Sequence, residues 1–120
     1  MKLKFIIEGK KTHDVGYRVL LVNKAVSLGV NNFYASNTFI DDVQTVSVMI
    51  EADDKIIEEF KAFIHSTKPK DAEVENIKIE KYKIRIPPIE LCMQFYQIEQ
   101  YDKLIQSYSN SIKIAGKTEQ

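Results

Sequence analysis

The sequence is poor in the residues that build disulfides and metal sites. Its 120 residues include one cysteine, Cys92, so no intrachain disulfide can form and nothing indicates secretion. The two histidines, His13 and His65, lie far apart and have no cysteine at ligand spacing. We therefore expect no metal site and a cytoplasmic protein.

Charge of one sign and long apolar runs are also missing. Seventeen basic and seventeen acidic side chains leave no net charge, so a nucleic-acid partner is not expected. No stretch approaches the roughly 18 apolar residues of a membrane span, and the first residues do not resemble a signal peptide. With four glycines, three prolines and 44% hydrophobic residues, the composition is that of one ordinary globular domain with no membrane partner.

Hydrophobic periodicity predicts six core elements. Alternating apolar and polar side chains mark strands, and apolar side chains three or four positions apart mark helices. In chain order these are a strand at Lys2 to Glu8, a helix at Tyr17 to Leu28, strands at Asn31 to Asn37 and Val46 to Ile50, a helix capped by Asp53 or Asp54, and a strand within Val74 to Ile86. The order predicts an α+β, ferredoxin-like βαββαβ sandwich with an antiparallel sheet and both helices on one face.

A further helix is predicted after this core. Pro87 and Pro88 close residues 1–88, which we interpret as one domain. From Ile89 to Tyr108 apolar residues recur at helical spacing, so residues 89–120 are expected to form a C-terminal helical extension. That helix could cover the sheet face that the other helices leave open, or pair with a second subunit as a homodimer. Cys92 lies on its apolar stripe and is expected to be a buried hydrophobe rather than a nucleophile.

The segment between the first strand and the first helix is the candidate for chemistry. Its sequence, Lys11-Thr12-His13-Asp14-Val15-Gly16-Tyr17-Arg18, forms a strand-to-helix turn, where backbone N–H groups and the helix dipole favour an anion. Asp14 is expected chiefly to be the N-cap of the helix. His13 has no base-orienting partner in sequence and is expected to be a solvated loop residue.

This loop resembles the fingerprint of the acylphosphatase family, G-x-V-Q-G-V-x-F-R. Val15-Gly16-Tyr17-Arg18 stands for the V-x-F-R end, and Thr12-His13-Asp14 stands for V-Q-G. The resemblance continues in the Leu28-Gly29 exit of the first helix, in Phe33, and in the strand from Val46 to Ala52. It covers residues 1 to about 86, with the elements in the same order.

The resemblance implies hydrolysis of acyl phosphates, the anhydrides of carboxylic and phosphoric acids, without a metal or organic cofactor. Arg18 would bind the phosphate, and an asparagine on the next strand would position the attacking water. Asn37 is the candidate asparagine, but an ungapped count from Leu28-Gly29 puts Ser36 in its place and turns Asn37 to the opposite face. Asn37 is equally expected to be a turn residue. The phosphate-binding loop would use the N–H groups of His13, Asp14, Val15, Gly16 and Tyr17.

Two departures from the fingerprint leave two functions open. Asp14 replaces a loop glycine with a carboxylate that repels phosphate, and the asparagine is shifted by one position. The protein is expected to be either an acylphosphatase-like hydrolase, with a small acyl phosphate or a phosphate anion as its partner, or a catalytically inactive binding or assembly domain on the same scaffold.

Overall fold

Over the residues that the structure describes, the fold has four strands and three helices, the first six of them in the order predicted for the core. A computed structural model describes the backbone of residues 1–119 and the side chains of residues 1–110. In chain order the elements are β1 (Lys2–Gly9), α1 (Tyr17–Ser27), β2 (Asn32–Ile40), β3 (Val43–Glu51), α2 (Asp54–Ser66), β4 (Asn76–Lys81) and α3 (Ile89–Glu119). The predicted α+β, ferredoxin-like architecture with an added C-terminal helix is confirmed.

The sheet is antiparallel throughout, in the order β2-β3-β1-β4. The β2–β3 ladder runs without interruption from Asn32 opposite Glu51 to Ile40 opposite Val43. Between them, Asp41 and Asp42 have φ angles of 52° and 64°, the left-handed pair that closes a two-residue hairpin of type I′. This turn fixes the register of β2 and therefore the face on which each of its side chains lies.

The main core lies between the sheet and the helices α1 and α2. Phe60 of α2 packs edge-on against Phe5 and Phe33, with ring centroids 5.6 and 5.8 Å apart. Full burial of a large apolar side chain stabilises a fold by about 1.5 to 3 kcal/mol. The largest fully buried apolar side chains around this cluster are Phe5, Ile7, Tyr17, Leu21, Phe33, Val46, Val48, Ile50, Ile57, Phe60 and Ile64.

The helix α3 lies along the free edge of β2 and against α1, rather than across the open face of the sheet. The chain reaches it through backbone pairing, because Phe33 N–H donates to the Pro87 carbonyl at 3.1 Å and Ile89 N–H donates to Asn31 at 2.8 Å. Cys92 is buried beside β2, where its Sγ accepts from Ala35 N–H at 3.4 Å. Burial raises the pKa of this thiol, so Cys92 is the buried apolar residue that the sequence predicts.

Within the described part of the chain, no helix is both long enough and apolar enough to cross a membrane.

Candidate functional site

The loop between β1 and α1 keeps a glycine-like backbone at two positions. Asp14 and Gly16 have φ angles of 57° and 86°, in the left-handed region that non-glycine residues enter at a cost of about 1–2 kcal/mol. The N-cap of α1 is Gly16, and no side chain bonds to the helix N-terminus. The prediction that Asp14 caps α1 is therefore wrong. Asp14 lies two residues too early, and its exposed carboxylate is instead 3.6 Å from Lys103 Nζ.

The side chain of Gln44, on β3, holds the start of this loop through hydrogen bonds. Gln44 Oε1 accepts hydrogen bonds from the N–H groups of Thr12 and His13, both at 3.0 Å. The His13 N–H, which the family resemblance assigns to phosphate binding, is therefore already paired. Among the described residues, no acceptor lies within hydrogen-bonding distance of the N–H groups of residues 14–17.

His13 is part of the packing under the loop. Its side chain is buried, and its Nε2 lies 2.9 Å from the carbonyl oxygen of Thr45 and 3.2 Å from the Thr45 nitrogen. In one tautomer this ring nitrogen donates to the Thr45 carbonyl oxygen, and in the other it accepts from the Thr45 N–H. The ring also packs edge-on against Phe39 at 4.9 Å. The prediction of a solvated histidine is wrong, because the loop folds back over β3.

Arg18 is held by two residues of α3. Its Nη1 and Nη2 donate to Glu99 Oε2 and Oε1 at 2.6 and 3.0 Å, and its guanidinium carbon lies 5.1 Å from the centre of the Tyr96 ring. The hydrogen bond from Arg18 holds the pKa of Glu99 below its ordinary value, and the same bond raises the pKa of Arg18. This fork-to-fork pairing uses the two nitrogens that would bind a phosphate bidentately.

Asn37 lies within β2 and is not a turn residue. It pairs with Val46 and shares the face of Phe33 and Ala35, which is the face covered by the helices. The ungapped count from Gly29 placed it on the opposite face. In the structure β2 is regular over its whole length, so residues 33, 35 and 37 all lie on one side.

Asp14, Arg18 and Asn37 border one cavity of about 220 Å³ between the loop and α3. Its lining includes Thr12 and Tyr17, whose buried hydroxyl groups have no hydrogen-bond partner among the described residues. The cavity is thus lined by unpaired hydroxyl groups, by the cations Arg18 and Lys103, and by the carboxylate of Asp14. Its wall is formed by Thr12, Asp14, Gly16, Tyr17, Arg18, Val19 and Asn37 from the core, and by Tyr96, Gln100 and Lys103 from α3.

Sequence reasoning missed the residues that α3 and β3 contribute to this site. Tyr96, Glu99 and Lys103 repeat at helical spacing on the side of α3 that faces α1, and this polar stripe opposite the apolar one was a usable signal. Lys103 Nζ also lies 3.5 Å from Glu99, one helical turn away. Gln44 carried no local signal, because its partners lie 31 and 32 residues earlier in the chain.

No group of three His, Cys, Asp or Glu side chains among the described residues is arranged to bind a metal ion.

An antiparallel sheet in the order β2-β3-β1-β4, with α1 and α2 packed on one face, defines a small α+β domain of the ferredoxin-like kind. The family model for acylphosphatase matches residues 3–88, which is more than half of the chain. The chain therefore belongs to the acylphosphatase family. The helix α3 lies beyond the matched residues.

Solved structures share the fold at low sequence identity. Acylphosphatase from Bacillus subtilis is 16% identical, with a TM-score of 0.54 over 69% of this chain and 86% of that one. Full-length HypF, in a phosphate- and nucleotide-bound form, is 18% identical, with a TM-score of 0.59 over 69% of this chain and 10% of HypF. At such identities the likeness shows the fold alone. Among curated proteins, none is detectably similar to this chain in sequence.

Proposed function

We propose that the cavity beside Arg18 binds the phosphate of a small acyl phosphate and hydrolyses its anhydride bond. One observation carries the proposal: Arg18, Asn37 and the loop with its unpaired amides all border the same cavity. Fixed donors aimed at one point suit a phosphoryl group, whose negative charge is spread over several oxygens. The single buried thiol, with no disulfide to form, supports action in the cytoplasm.

The reaction needs positioning more than acid–base chemistry. A water held by the Asn37 side-chain amide attacks phosphorus, its oxygen forms the new P–O bond, and the P–O bond to the acyl group breaks. The carboxylate leaves with the bonding electron pair. Both hydrogens of the water remain with the phosphate, which then releases one to solvent. Arg18 and the N–H groups of residues 14–17 stabilise the charge on the phosphoryl oxygens.

The carboxylate of Glu99 opposes this reaction. A phosphate can pair with Arg18 only when Glu99 gives up both hydrogen bonds. Each hydrogen bond to a charged group contributes about 1.5–3 kcal/mol, so giving up even one of the two corresponds to a roughly 10- to 150-fold loss of phosphate affinity. Asp14, which also borders the cavity, adds like-charge repulsion that Lys103 offsets in part.

A second function has an observation of its own. Because Arg18 is paired with Glu99 and stacked on Tyr96, the domain could serve as a non-catalytic binding or assembly module in which Arg18 fastens α3 to the core. In that case the Arg18–Glu99 pair is a structural contact, and no phosphate replaces Glu99.

Hydrolysis of benzoyl phosphate separates the two functions. We expect turnover by the wild type, loss of it in Arg18→Ala, and an increase of roughly 10-fold or more in kcat/KM in Glu99→Gln. Glu90→Gln, which neutralises an acid on the same helix outside the cavity, is the matched control and should behave as the wild type. Hydrolysis by neither the wild type nor Glu99→Gln would reject the enzyme and favour the second function.

Titration with inorganic phosphate, followed by amide NMR, tests binding independently of turnover. We expect saturable shifts of the amides of residues 14–18 and little change at His13, whose N–H is bonded to Gln44. Glu99→Gln should bind phosphate more tightly than the wild type. Unchanged spectra for both proteins would show that the loop does not accept phosphate.

A further inference from the structure

The helix α3 carries an apolar stripe on the side away from the domain. Ile98, Tyr101, Ile105 and Tyr108 are 63%, 66%, 50% and 69% exposed. A shallow, open depression of the α3 surface lies along this stripe and is lined by α3 residues alone. Single exposed apolar residues are ordinary, but a contiguous row of them on one helix indicates an interaction surface.

The stripe has the spacing of a coiled-coil seam. Leu91, Ile98 and Ile105 are seven residues apart, as are Gln94, Tyr101 and Tyr108, so the two sets alternate at intervals of three and four. These are the a and d positions of a heptad, respectively, whose mean spacing of 3.5 keeps one stripe facing a partner helix.

The opposite side of α3 is already occupied by its own domain. Cys92 is buried against β2, and Glu99 and Lys103 bond to Arg18 and Asp14. Since the domain contacts and the seam lie on different sides of the helix, α3 can pack on its own core and on another helix at the same time.

We propose that this seam pairs with the α3 helix of a second copy of the chain, as a parallel two-stranded coiled coil. β-Branched isoleucine at the a positions, here Ile98 and Ile105, is a residue type found at the a positions of two-stranded coiled coils. Leu91, Ile98, Tyr101, Leu104, Ile105 and Tyr108 offer roughly 100 Å² each, and so roughly 600 Å² per chain. That area approaches the ~800 Å² per partner of a stable interface.

Charge near the seam also favours a second copy. Lys103 is the one basic residue of the sequence between positions 89 and 110, and it is turned towards Asp14 and Glu99. A surface that binds nucleic acid or anionic lipid needs flanking cations, which this seam lacks. In a parallel pair, Asp102 at an e position lies opposite the uncharged Gln97 at a g position, so no like charges meet.

Sedimentation equilibrium over micromolar concentrations tests the proposal. We expect the wild type to reach twice the chain mass of 13.9 kDa, and Ile98→Glu/Ile105→Glu to stay at the mass of one chain. Ile84→Glu is the matched control, because Ile84 is 67% exposed but lies outside α3, and it should dimerise as the wild type does. Circular dichroism checks that each variant keeps its fold.

Three results would overturn the dimer: a wild type that stays monomeric, a double variant that still dimerises, or a mass above that of two chains. A monomeric wild type that co-sediments with phosphatidylserine vesicles would assign the seam to a membrane surface instead.

The parallel orientation has its own test. In a parallel pair, identical a positions face each other, so Ile105→Cys should form an intermolecular disulfide under mild oxidation, visible as a doubled mass on a non-reducing gel. The wild type, whose only thiol is buried, should not. A dimeric Ile105→Cys protein that fails to cross-link would contradict the parallel arrangement.

Discussion

At the scale of single residues, the carboxylate of Glu99 is a competitor of the phosphate proposed to bind Arg18. Its side chain is largely buried, whereas that of Glu99 is 41% exposed. The carboxylate can therefore move into solvent more easily than the guanidinium can. The proposed activity therefore depends on how tightly Glu99 is held.

The Arg18–Glu99 pair should make stability depend on pH in the acid range. Because the folded state lowers the pKa of Glu99, the pair contributes its full stabilisation above the ordinary glutamate value of 4.5 and loses it as the pH falls through the lowered value. Urea unfolding of the wild type and Glu99→Gln, repeated at several pH values, measures this. We expect the difference in free energy of unfolding to be constant above pH 4.5 and to shrink below it. A difference independent of pH would contradict the pairing.

Gln44 should matter for the shape of the loop. Gln44→Ala leaves two N–H groups without their acceptor, so the free energy of unfolding should fall by about 1–3 kcal/mol, measured by urea denaturation. Gln44→Glu keeps an acceptor oxygen for both N–H groups and should retain most of that stability. Equal loss in both variants would mean that the side chain stabilises the loop in another way.

At the scale of elements, the sequence leaves Asp53 and Asp54 as alternative caps of α2. The structure assigns the role to Asp53, whose Oδ1 accepts from Ile56 N–H at 2.9 Å, while Asp54 is the first helical residue. Asp53→Ala should therefore lower the free energy of unfolding by about 0.5–2 kcal/mol. Asp54→Ala is the matched control and should cost less. Thermal unfolding of the two variants compares them, and the reverse order would contradict the assignment.

The elements themselves were largely predictable, and their ends were not. Alternation located β1 and β3, and helical spacing located α1, α2 and the start of α3. The predicted second strand ends at Asn37, three residues before β2 ends. The structure continues β2 to Ile40, since Asp41 and Asp42 adopt the left-handed turn that glycine and asparagine usually provide.

At the scale of the whole molecule, α3 is both part of the core and part of the site. Ile89 and Cys92 are buried, so a chain ending at Pro88 should lose at least about 2 kcal/mol of stability. We therefore propose that residues 1–88 form a unit whose stability depends on α3. A chain ending at Tyr108 is the matched control and should keep the stability of the core. Urea unfolding compares the two truncations, and the chain ending at Tyr108 carries Ile98→Glu/Ile105→Glu so that dimerisation does not contribute to its stability. Equal stability of the two would contradict the role of α3.

The sequence by itself determined the order of the elements, the helical extension and the loop that carries Arg18. All of these depend on residues within one or two turns of each other, where backbone geometry imposes a period. Only the tertiary structure decided the partner of Arg18, because Glu99 lies 81 residues away. It also decided the face of Asn37, since the register of a strand is set by its neighbour and not by its distance from the preceding helix. Contacts between distant residues depend on tertiary packing, which has no periodic pattern in the sequence.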